Sequence, residues 1–466
     1  MLHTKIASND QPRVSAKVIP LGTNQYGAML AQRIENRTAN VGICGLGYVG
    51  LPLAAATARA GFHTTGFDVD PRKIQEIAAG RSYVPAVPSE ELNELRSLGR
   101  LTASNSFAAL ASCDVICICV PTPLTPQREP DLSIVEAAAR TIAEYLRPGQ
   151  LVILESTTYP GTTDEVLKPI FEAGSLRSGY DFFLGYSPER EDPGSSFRTI
   201  DIPKVVSGDG ATARELVAAF YGSVVKRVVP VSANNVAEMV KITENIFRFV
   251  NIGLINELKI IYQSMGVDIW EVIEAAKTKP FGFMPFYPGP GLGGHCIPVD
   301  PFYLTWKARE FGLSTRFVEL AGEITQGLPS YVIQTLERAL DQRLHQPMSL
   351  ASILIVGVAY KKNVSDMRES PAIRIADMLA DRALRVSFYD PEVDVAELRH
   401  HGFPASVTAV DLGAEPAKNA IHDAAIIVTD HDGIDYRLIE KSARVVIDTR
   451  NAMERNGISS PRVIKA

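Results

Sequence analysis

The sequence predicts an α/β protein with two Rossmann-like, doubly wound parallel-sheet domains, joined by a long central helix and a helical middle domain. Short apolar runs alternate with helical stretches from Val41 to about residue 230, and the alternation resumes near Leu350. Such alternation is typical of a parallel sheet covered by helices on both faces. An uninterrupted helical pattern over residues 233–265 separates the two blocks and predicts the central helix.

This alternation divides the 466 residues into four expected segments. Residues 1–40 form an N-terminal extension with one predicted short helix, and residues 41–230 form a nucleotide-binding sheet domain. Residues 231–340 form a central helical and dimerisation domain that includes the loop of Cys296, and we expect a homodimer or a higher homo-oligomer. Residues 341–466 form a second, smaller α/β domain. A chain of this length is comfortable for two or three domains.

Composition excludes several classes of protein. The net charge of −6 provides no basic face for a nucleic acid. Five cysteines in so long a chain favour a reducing compartment over a disulfide scaffold. No segment has the length of a membrane span, and the polar N-terminus lacks the apolar core of a signal peptide. We therefore expect a cytoplasmic protein whose partners include neither membrane nor nucleic acid.

Each block contains its own succession of strands and helices. In the first block, strands are predicted at "VGICGLG", "HTTGFDVD", "DVICICVPTP" and "QLVILEST", with helices at "LPLAAATARA" and "SIVEAAARTIAEYL". In the second block, strands are predicted at "SILIVGVAY", "RVSFYDPEVD", "AAIIVTDHD" and "ARVVIDTRN", with a helix at "SPAIRIADMLA". The central helix carries apolar residues at helical spacing, which we expect to be buried: Val236, Val240, Phe247, Val250, Leu254, Leu258 and Ile261.

The stretch "GLGYVG" at residues 45–50 follows the first strand and opens a helix. In that context the three glycines permit a tight turn, close approach of a pyrophosphate and close helix packing. Asp68 ends the next strand, where a carboxylate binds ribose hydroxyls and repels a 2′-phosphate. NAD is therefore favoured over NADP, although the nearby Lys73 weakens that preference. The residues expected to hold the dinucleotide are Gly45, Gly47, Tyr48, Val49, Gly50, Asp68 and Lys73.

One cysteine stands apart from the other four. Cys44, Cys113, Cys117 and Cys119 lie in or beside buried strands and are expected to pack as small apolar residues, not to bind a metal. Cys296 instead lies in the glycine- and proline-rich stretch "GPGLGGHCIPVDP". An accessible thiolate there would be a strong nucleophile, and Asp300 could activate water. From the loop alone, Cys296 is either a catalytic nucleophile or a cysteine without a role in the chemistry.

Two groups of polar residues can each be interpreted in two ways. Lys241 and Asn245 share one face of the central helix, where they either stabilise an oxyanion or belong to an exposed polar stripe. Lys361, Lys362 and Arg368 follow the first strand of the second block. They form either a pocket for a nucleotide diphosphate or a solvated charge cluster.

A set of motifs, in this order, resembles the nucleotide-sugar 6-dehydrogenases, the family of UDP-glucose and GDP-mannose dehydrogenases. The motifs span roughly residues 40–465: "GLGYVGLPLA", "VPTP", "ESTTYPGTT", "YSPEREDPG", "KITENIFR", "GGHCIPVDPFYL" and "AYKKNVSDMRESP". Within the family the chain is most similar to the bacterial UDP-N-acetylglucosamine 6-dehydrogenases of O-antigen and capsule synthesis.

The resemblance implies oxidation of a sugar's carbon-6 alcohol to a carboxylate with reduction of two NAD. Cys296 would hold the aldehyde as a thiohemiacetal and then as a thioester, which water hydrolyses. The other residues it implies for catalysis are Lys241, Asn245, Asp300, Thr157 and Glu189. To the cofactor site it adds Thr122, Thr157 and Arg368. To the UDP-sugar site it assigns Glu189, Arg190, Lys241, Asn245, Tyr287, Gly291, Tyr360, Lys361 and Arg450.

The choice of sugar rests on departures from the UDP-glucose pattern. "YSPERED" and "GPGLGGHC" replace the segments usual in UDP-glucose enzymes, which favours an N-acetylated sugar and makes Arg190 a candidate contact for the acetamido group. UDP-glucose and UDP-N-acetylmannosamine remain alternatives. So do a two-electron hydroxyacid-type dehydrogenase, which would not need Cys296, and a non-catalytic nucleotide-sugar sensor. His295 has no assigned role.

Overall fold

A computed structural model describes residues 24–125, 127–190, 199–294, 296–400, 402–413 and 421–466. Most of the expected N-terminal extension and His295 therefore lie outside the described residues. The α/β class with two parallel sheets is confirmed. None of the helices in these ranges is both long and apolar enough to cross a lipid bilayer.

The first sheet has eight strands within the described residues, in the order β3-β2-β1-β4-β5-β6-β7-β8. All neighbouring pairs are parallel except β6 with β7. The central strands are buried along their whole length because helices cover both faces of the sheet. The strands are β1 (Asn40–Cys44), β2 (His63–Phe67), β3 (Leu101–Ser104), β4 (Val115–Ile118), β5 (Leu151–Leu154), β6 (Phe183–Tyr186), β7 (Lys204–Gly208) and β8 (Val228–Pro230).

Seven α-helices accompany this sheet in the described residues: α1 (Gln25–Glu35), α2 (Gly50–Arg59), α3 (Pro71–Ala78), α4 (Ser89–Ser97), α5 (Ser133–Tyr145), α6 (Lys168–Glu172) and α7 (Gly210–Gly222). The Asn24 side chain caps α1 by accepting from the Tyr26 and Gly27 N–H groups. Leu30 and Ile34 of α1 are buried in the core of the first domain. The predicted short helix thus packs as part of the domain body, because its apolar stripe needs cover.

The central region consists of α8 (Asn234–Ser264), α9 (Ile269–Ala276), α10 (Asp300–Glu310) and α11 (Arg316–Ala339). The expected burial of the apolar stripe on α8 is wrong for four of its members, which are 40–48% exposed: Val236, Phe247, Leu254 and Ile261. The buried face of α8 is instead unusually polar. It carries Glu238, Lys241, Asn245, Asn256 and Lys259.

The second sheet has the order β11-β10-β9-β12-β13-β14 and is parallel throughout its described strands. This order repeats that of the first six strands of the first sheet. The strands are β9 (Ser352–Val356), β10 (Arg385–Tyr389), β11 (Thr408–Ala409), β12 (His422–Ile427), β13 (Ala443–Asp448) and β14 (Val463–Lys465). The described α-helices of this domain are α12 (Pro371–Ala380), α13 (Val395–His400), α14 (Tyr436–Ser442) and α15 (Ala452–Arg455). Irregular helical turns occupy Phe107–Ser112, Thr162–Leu167, Thr199–Asp201, Leu340–Leu344 and Met348–Leu350.

In each sheet the strand order reverses beside the first strand, between β1 and β4 and between β9 and β12. Open parallel sheets bind ligands at the carboxyl ends of their strands at such switch points. The glycine loop of residues 45–50 follows β1. The cation cluster of Lys361, Lys362 and Arg368 follows β9. Both therefore lie at these positions.

Candidate active site

The glycine loop between β1 and α2 is shaped for an approaching backbone or ligand. Gly45 has φ +93°, and a Cβ there would lie 2.5 Å from the Cys119 carbonyl oxygen. A Cβ on Gly50 would lie 1.8 Å from the Gly45 carbonyl oxygen. A Cβ on Gly47 meets no atom within 4 Å, so this glycine faces open space at the N-terminal end of α2, next to Val49. The loop therefore fits the pyrophosphate of a dinucleotide.

Asp68 lies at the end of β2 beside this loop. Its Oδ2 accepts from the Leu46 N–H at 2.8 Å and from Lys73 Nζ at 2.8 Å, while Oδ1 accepts from the Asp70 N–H at 2.9 Å. Burial acts to raise the pKa of Asp68, but these hydrogen bonds, led by that of Lys73, leave it below its usual value. The carboxylate is thus ionised and keeps acceptor capacity for ribose hydroxyls. Lys73 is paired with Asp68 itself.

The loops after β4 and β5 are tied together by two threonines. Thr122 Oγ1 donates to the Thr157 carbonyl oxygen at 2.7 Å. The neighbouring Thr158 was not singled out from the sequence, yet its hydroxyl is buried without a hydrogen-bond partner among the described residues. Its position four residues after the buried strand β5 was the available signal, since loops at the carboxyl ends of parallel strands carry ligands.

Arg368 connects the two sheet domains. Its guanidinium lies 5.2 Å from the centroid of the Tyr48 ring in the glycine loop and pairs with Asp366 at 2.5 Å. Its carbonyl oxygen accepts from the Gly294 N–H at 2.8 Å, next to the cysteine loop. A single residue of the second domain therefore touches both the predicted cofactor loop and the loop that carries Cys296.

Cys296 and Asp300 lie where this loop enters α10. The Asp300 N–H donates to the Cys296 carbonyl oxygen at 2.8 Å, and Asn245 Nδ2 donates to Asp300 Oδ2 at 2.5 Å. Lys241, one helical turn before Asn245, faces the same buried space. Two segments distant in sequence, α8 and the junction of the cysteine loop with α10, thus bring together a thiol, a carboxyl, an amide and an ammonium group.

The electrostatics of this cluster depart from ordinary values. Burial, and next the charge of Asp300, raise the pKa of the Cys296 thiol to about 11, against the opposing charge of Lys241. Burial raises the pKa of Asp300 to about 7, although Lys241 and Asn245 act to lower it. A carboxyl that titrates near neutral pH can both accept and donate a proton, as acid–base catalysis requires.

The turn before Cys296 packs against the second domain. A Cβ on Gly293 would lie 2.6 Å from Tyr360 Cβ, and one on Gly294 would lie 2.9 Å from the Tyr360 ring. Gly291 lies against Pro371. Lys361 follows Tyr360 and is partly buried. Of the other cations, Lys362 pairs with Asp432 at 2.5 Å, so the cluster is partly neutralised.

Glu189 belongs to a buried charge network that the sequence did not reveal. Lys204 Nζ donates to Glu155 Oε2 at 2.5 Å and to Glu189 Oε2 at 3.0 Å. The antiparallel pairing of β7 with β6 brings Lys204, at the start of β7, beside Glu189, which follows β6. Both carboxylates raise the pKa of Lys204 above its usual value despite burial, so it is charged. Arg190 is held by Glu244 of α8, at 2.5 Å from Nη2, and by the Pro203 carbonyl oxygen.

The two remaining predicted substrate residues, Tyr287 and Arg450, meet the beginning of the cysteine loop in different ways. Tyr287 is 43% exposed, stacks on Trp270 and donates to Glu274 at 2.9 Å. Arg450 follows β13, and its Nη1 would lie 2.5 Å from a Cβ on Gly289. Arg450 therefore lies against the same loop as Cys296, whereas the Tyr287 hydroxyl is engaged on the outer side.

Comparison with known proteins agrees with this architecture over nearly the whole chain. Family models of the UDP-glucose/GDP-mannose dehydrogenases match in sequence order. The NAD binding domain matches residues 39–225, the central domain 235–326 and the UDP binding domain 354–455. The match places the glycine loop in the NAD binding domain and Cys296 in the central domain.

Individual relatives match over most of this chain and nearly all of their own length. A UDP-N-acetyl-D-glucosamine 6-dehydrogenase of Pseudomonas aeruginosa is 38% identical, covering 89% of this chain and 97% of that protein. A UDP-N-acetyl-D-mannosamine dehydrogenase of Pyrococcus horikoshii is 36% identical over 89% of this chain and 96% of its own length.

Solved structures agree as well. The UDP-D-ManNAc dehydrogenase structure from Pyrococcus horikoshii superposes with a TM-score of 0.79 at 33% identity, covering 91% of this chain and 96% of that one. A UDP-glucose dehydrogenase from Pyrobaculum islandicum gives 0.80 at 28% identity, over 92% and 97%. The chain therefore belongs to the UDP-glucose/GDP-mannose dehydrogenase family and is an NAD-dependent nucleotide-sugar dehydrogenase.

Proposed function

We propose that the protein oxidises the carbon-6 alcohol of a UDP-N-acetylhexosamine, best UDP-N-acetylglucosamine, to the uronic acid in two successive two-electron steps. The observation that carries this proposal is the cluster of Cys296, Asp300, Asn245 and Lys241. A single alcohol-to-aldehyde oxidation needs no thiol, whereas an aldehyde must first be held as a covalent adduct before it loses a second hydride. The overall change consumes the alcohol, two NAD⁺ and one water, and yields the carboxylate, two NADH and three protons.

NAD, when bound at the glycine loop, accepts the hydride at each oxidation. In the first step Lys241 and Asn245 orient the carbon-6 oxygen. Its proton passes to the Asp300 carboxylate and on to solvent, while Lys241 stabilises the negative charge that develops on the oxygen. Such preorganised donors are worth several kcal/mol in a water-poor site, of the order of 3 kcal/mol for a single donor. Both side chains are almost fully buried, so little solvent reorganisation opposes them.

In the second step the Cys296 sulfur forms a bond to carbon 6 of the aldehyde. The thiol proton goes to Asp300, whose pKa of about 7 suits a proton acceptor at neutral pH. Because the thiol proton stays on Asp300, the aldehyde oxygen becomes the oxyanion of a thiohemiacetal, which Lys241 stabilises. This oxyanion re-forms the carbonyl as the carbon-6 hydride passes to NAD⁺, and the product is a thioester. Burial raises the pKa of the Cys296 thiol to about 11, so the thiol is protonated at neutral pH and needs a base such as Asp300 in order to react.

Hydrolysis of the thioester requires a positioned water. Thr157 and Glu189 are the proposed water-handling groups, with Asp300 returning its proton to the Cys296 sulfur as the leaving group. The ammonium of Lys204 at 3.0 Å fixes the orientation of Glu189. Thr158, with its unpartnered buried hydroxyl, is a further candidate for this water.

The choice of an acetamido sugar is supported by relatives named for UDP-N-acetyl-D-glucosamine and UDP-N-acetyl-D-mannosamine. Arg190, bound on two sides by Glu244 and Pro203, is rigid enough to recognise an acetamido oxygen with a remaining N–H. We place the reaction in the cytoplasm and in the synthesis of a surface polysaccharide such as O-antigen or capsule. UDP-glucose and UDP-N-acetylmannosamine are the alternative substrates.

The test is a panel of UDP-sugars incubated with the enzyme and NAD, with products identified by mass spectrometry. We expect UDP-N-acetylglucosamine to give the highest kcat/KM and a product 14 mass units heavier as the free acid, because two hydrogens are exchanged for one oxygen. A preference for UDP-glucose, or a product that stops at the aldehyde, would contradict the proposal.

We further propose that the active form is a homodimer whose contact includes α8. The exposed side chains of Phe247, Leu254 and Ile261 recur every seven residues and therefore lie along one face of this helix. Contiguous exposed apolar surface of this kind is typical of an interface. A second copy of the chain is the occupant that also supplies the matching apolar face.

A further inference from the structure

Two carboxylates share one buried ammonium group beside the ends of β5 and β6. Lys204 Nζ lies 2.5 Å from Glu155 Oε2 and 3.0 Å from Glu189 Oε2. The side chains of Lys204 and Glu155 are 5% and 0% exposed, whereas that of Glu189 is 13% exposed and is the most accessible of the three. One cation is thus bound by two anions, and the three groups together keep one negative charge.

Glu155 is held on its other side as well. Tyr221 of α7 donates its hydroxyl hydrogen to Glu155 Oε1, and Lys204 Nζ lies 5.2 Å from the centroid of the Tyr221 ring. Burial raises the pKa of Glu155 above its usual value, and the charge of Lys204 and the hydrogen bond from Tyr221 limit that rise. Because both of its oxygens accept hydrogen bonds, the ionised form of Glu155 is favoured. Glu155, Lys204 and Tyr221 therefore form one fixed unit.

Glu189 leads from this unit toward the candidate active site. Its Oε1 accepts from the Arg190 N–H at 2.6 Å. The Arg190 guanidinium pairs at 2.5 Å with Glu244, the residue before Asn245 on α8. The Glu189 carboxylate is therefore held by Lys204 on one oxygen and by the backbone on the other.

Stabilisation of the fold does not account for both carboxylates. A buried ion pair contributes little net stability, because the cost of desolvation offsets the attraction between the charges. Glu155 alone would neutralise Lys204, whereas Glu189 adds a further negative charge in a poorly solvated space. Charged groups kept at such a cost typically serve binding or catalysis.

We infer that Glu155 and Lys204 are positioning residues for Glu189, which they hold for hydrolysis of the thioester without neutralising its negative charge. The inference rests on the proposed function and concerns the water step alone. The hydrogen bond from Lys204 fixes the direction of the Glu189 carboxylate. Because Glu155 balances the charge of Lys204, Glu189 keeps the ability to take a proton from water.

The hydrolysis step assigns each proton to one of these groups. Water gives its hydroxide to carbon 6 and a proton to Glu189, the carbon–sulfur bond breaks, and the sulfur takes the proton held by Asp300. The uronic acid loses its own proton, and Glu189 releases the other to solvent. Without Glu155 the full charge of Lys204 would act on Glu189 and make it a weaker base. The two hydride transfers do not use Glu189, so their rates should not change.

The test follows NADH absorbance and the covalent adduct on Cys296, the latter by rapid quenching and mass spectrometry of the intact protein. Enzyme is mixed with saturating UDP-N-acetylglucosamine and NAD. We compare wild type with Glu155→Gln and with a double variant that combines Glu155→Gln and Lys204→Met. The double variant leaves neither member of the buried pair charged, so it tests the same step if the single variant folds poorly. The control is Glu136→Gln, which removes an exposed ion pair with Arg140 on α5.

Both variants should form a burst of two NADH per site at the wild-type rate and then turn over about 10- to 100-fold more slowly, because general-base assistance to water is impaired. Most of the variant enzyme should carry the adduct during the slow phase, with the KM for the sugar nucleotide no higher than in wild type. Glu136→Gln should match wild type in both phases.

The inference is overturned if both variants hydrolyse the adduct within twofold of the wild-type rate. It is also overturned if the burst slows as much as the later phase, since a merely structural role would affect both phases equally. One NADH per sugar from wild type would refute the proposed function and this inference with it. Two NADH per sugar, with unchanged hydrolysis in the variants, would refute this inference alone.

Discussion

At the scale of single residues, the chemistry depends on contacts between residues distant in sequence. Asp300 titrates near pH 7 because α10 places it in a buried space opposite Asn245 and Lys241 of α8. The residue types and the helical spacing of Lys241 and Asn245 were readable from the sequence. The partnership of Asn245 with Asp300 was not, because no local pattern encodes which loop lies over a helix.

Cys296 provides the most direct residue-level prediction. Cys296→Ser should lower overall turnover by roughly 10³-fold or more, since a hydroxyl is a much weaker nucleophile toward the aldehyde. Steady-state NADH formation measures this. Cys113→Ala, which alters a buried cysteine of the first domain, is the control and should keep wild-type turnover. Unchanged turnover in Cys296→Ser would favour a two-electron dehydrogenase.

Asp300 predicts a pH-dependent stability. Because its pKa in the folded protein is raised to about 7, the folded state holds a proton that the unfolded state releases near pH 4. The free energy of unfolding of wild type should therefore fall, relative to Asp300→Asn, as the pH rises from about 4 to about 7. At pH 8 the inactive Asp300→Asn should be more stable by roughly 1–4 kcal/mol, the upper bound being about three pKa units.

Denaturant unfolding at pH 5 and pH 8 measures that difference. The exposed Asp341→Asn is the control and should change stability by less than about 0.5 kcal/mol at either pH. A wild type that is more stable than Asp300→Asn at pH 8 would show that Lys241 holds the carboxylate ionised instead.

At the scale of secondary-structure elements, the glycine loop was predictable and the orientation of α8 was not. The fingerprint glycines have local steric reasons that sequence spacing reveals. On α8 the rule that apolar faces are buried gave the wrong face, because the buried side carries polar groups such as Lys241, Asn245 and Lys259. Buried polar groups override the usual pattern, and the apolar face that they leave exposed is the proposed dimer contact.

Gly47 allows a test of the loop that leaves the fold intact. A Cβ at this position meets no protein atom within 4 Å, so Gly47→Ala should fold with an unchanged melting temperature. The methyl group would occupy the space of the pyrophosphate, and NAD affinity should fall at least about tenfold. Gly222→Ala, at the end of α7 and equally unobstructed, is the control. Wild-type NAD affinity in Gly47→Ala would place the dinucleotide elsewhere.

The exposed face of α8 predicts the oligomeric state. Leu254→Glu should shift a dimer toward monomer at micromolar concentration, because it buries a charge in the proposed contact. Sedimentation velocity of wild type and variant reports the mass directly. Leu98→Glu, at an exposed leucine after α4, should leave the assembly unchanged. A wild type that is active and monomeric under assay conditions would exclude the interface.

At the scale of the whole molecule, two sheets with a similar strand order belong to domains of different function. The first sheet lies in the NAD binding domain and the second in the UDP binding domain. Asp390 ends β10 just as Asp68 ends β2, and its Oδ2 accepts from the Val358 N–H at 2.6 Å. It also forms a hydrogen bond at 3.1 Å with Nε2 of the buried His431, whereas Asp68 pairs with Lys73. Arg368 of the second domain contacts the Tyr48 ring of the first domain, and its carbonyl oxygen accepts from Gly294 in the cysteine loop.

The arrangement of these domains around one site was accessible only in part from sequence. The α/β class and the two parallel sheets followed from alternation and from the glycine fingerprint, whereas the order of the strands comes from the structure. The bridge from Arg368 to Tyr48, and the network of Lys204 with Glu155 and Glu189, join residues from separate domains or non-adjacent strands. Such pairs arise from the packing of whole elements, which periodicity does not specify.

The ratio of NADH formed to UDP-N-acetylglucosamine consumed tests the central claim most directly. The reaction is run to completion with limiting sugar, and NADH absorbance is compared with residual sugar nucleotide by chromatography. A thiol-held aldehyde that proceeds to the acid predicts two NADH per sugar and no free aldehyde. One NADH per sugar, with aldehyde released to solution, would contradict the account of Cys296 and the site around it.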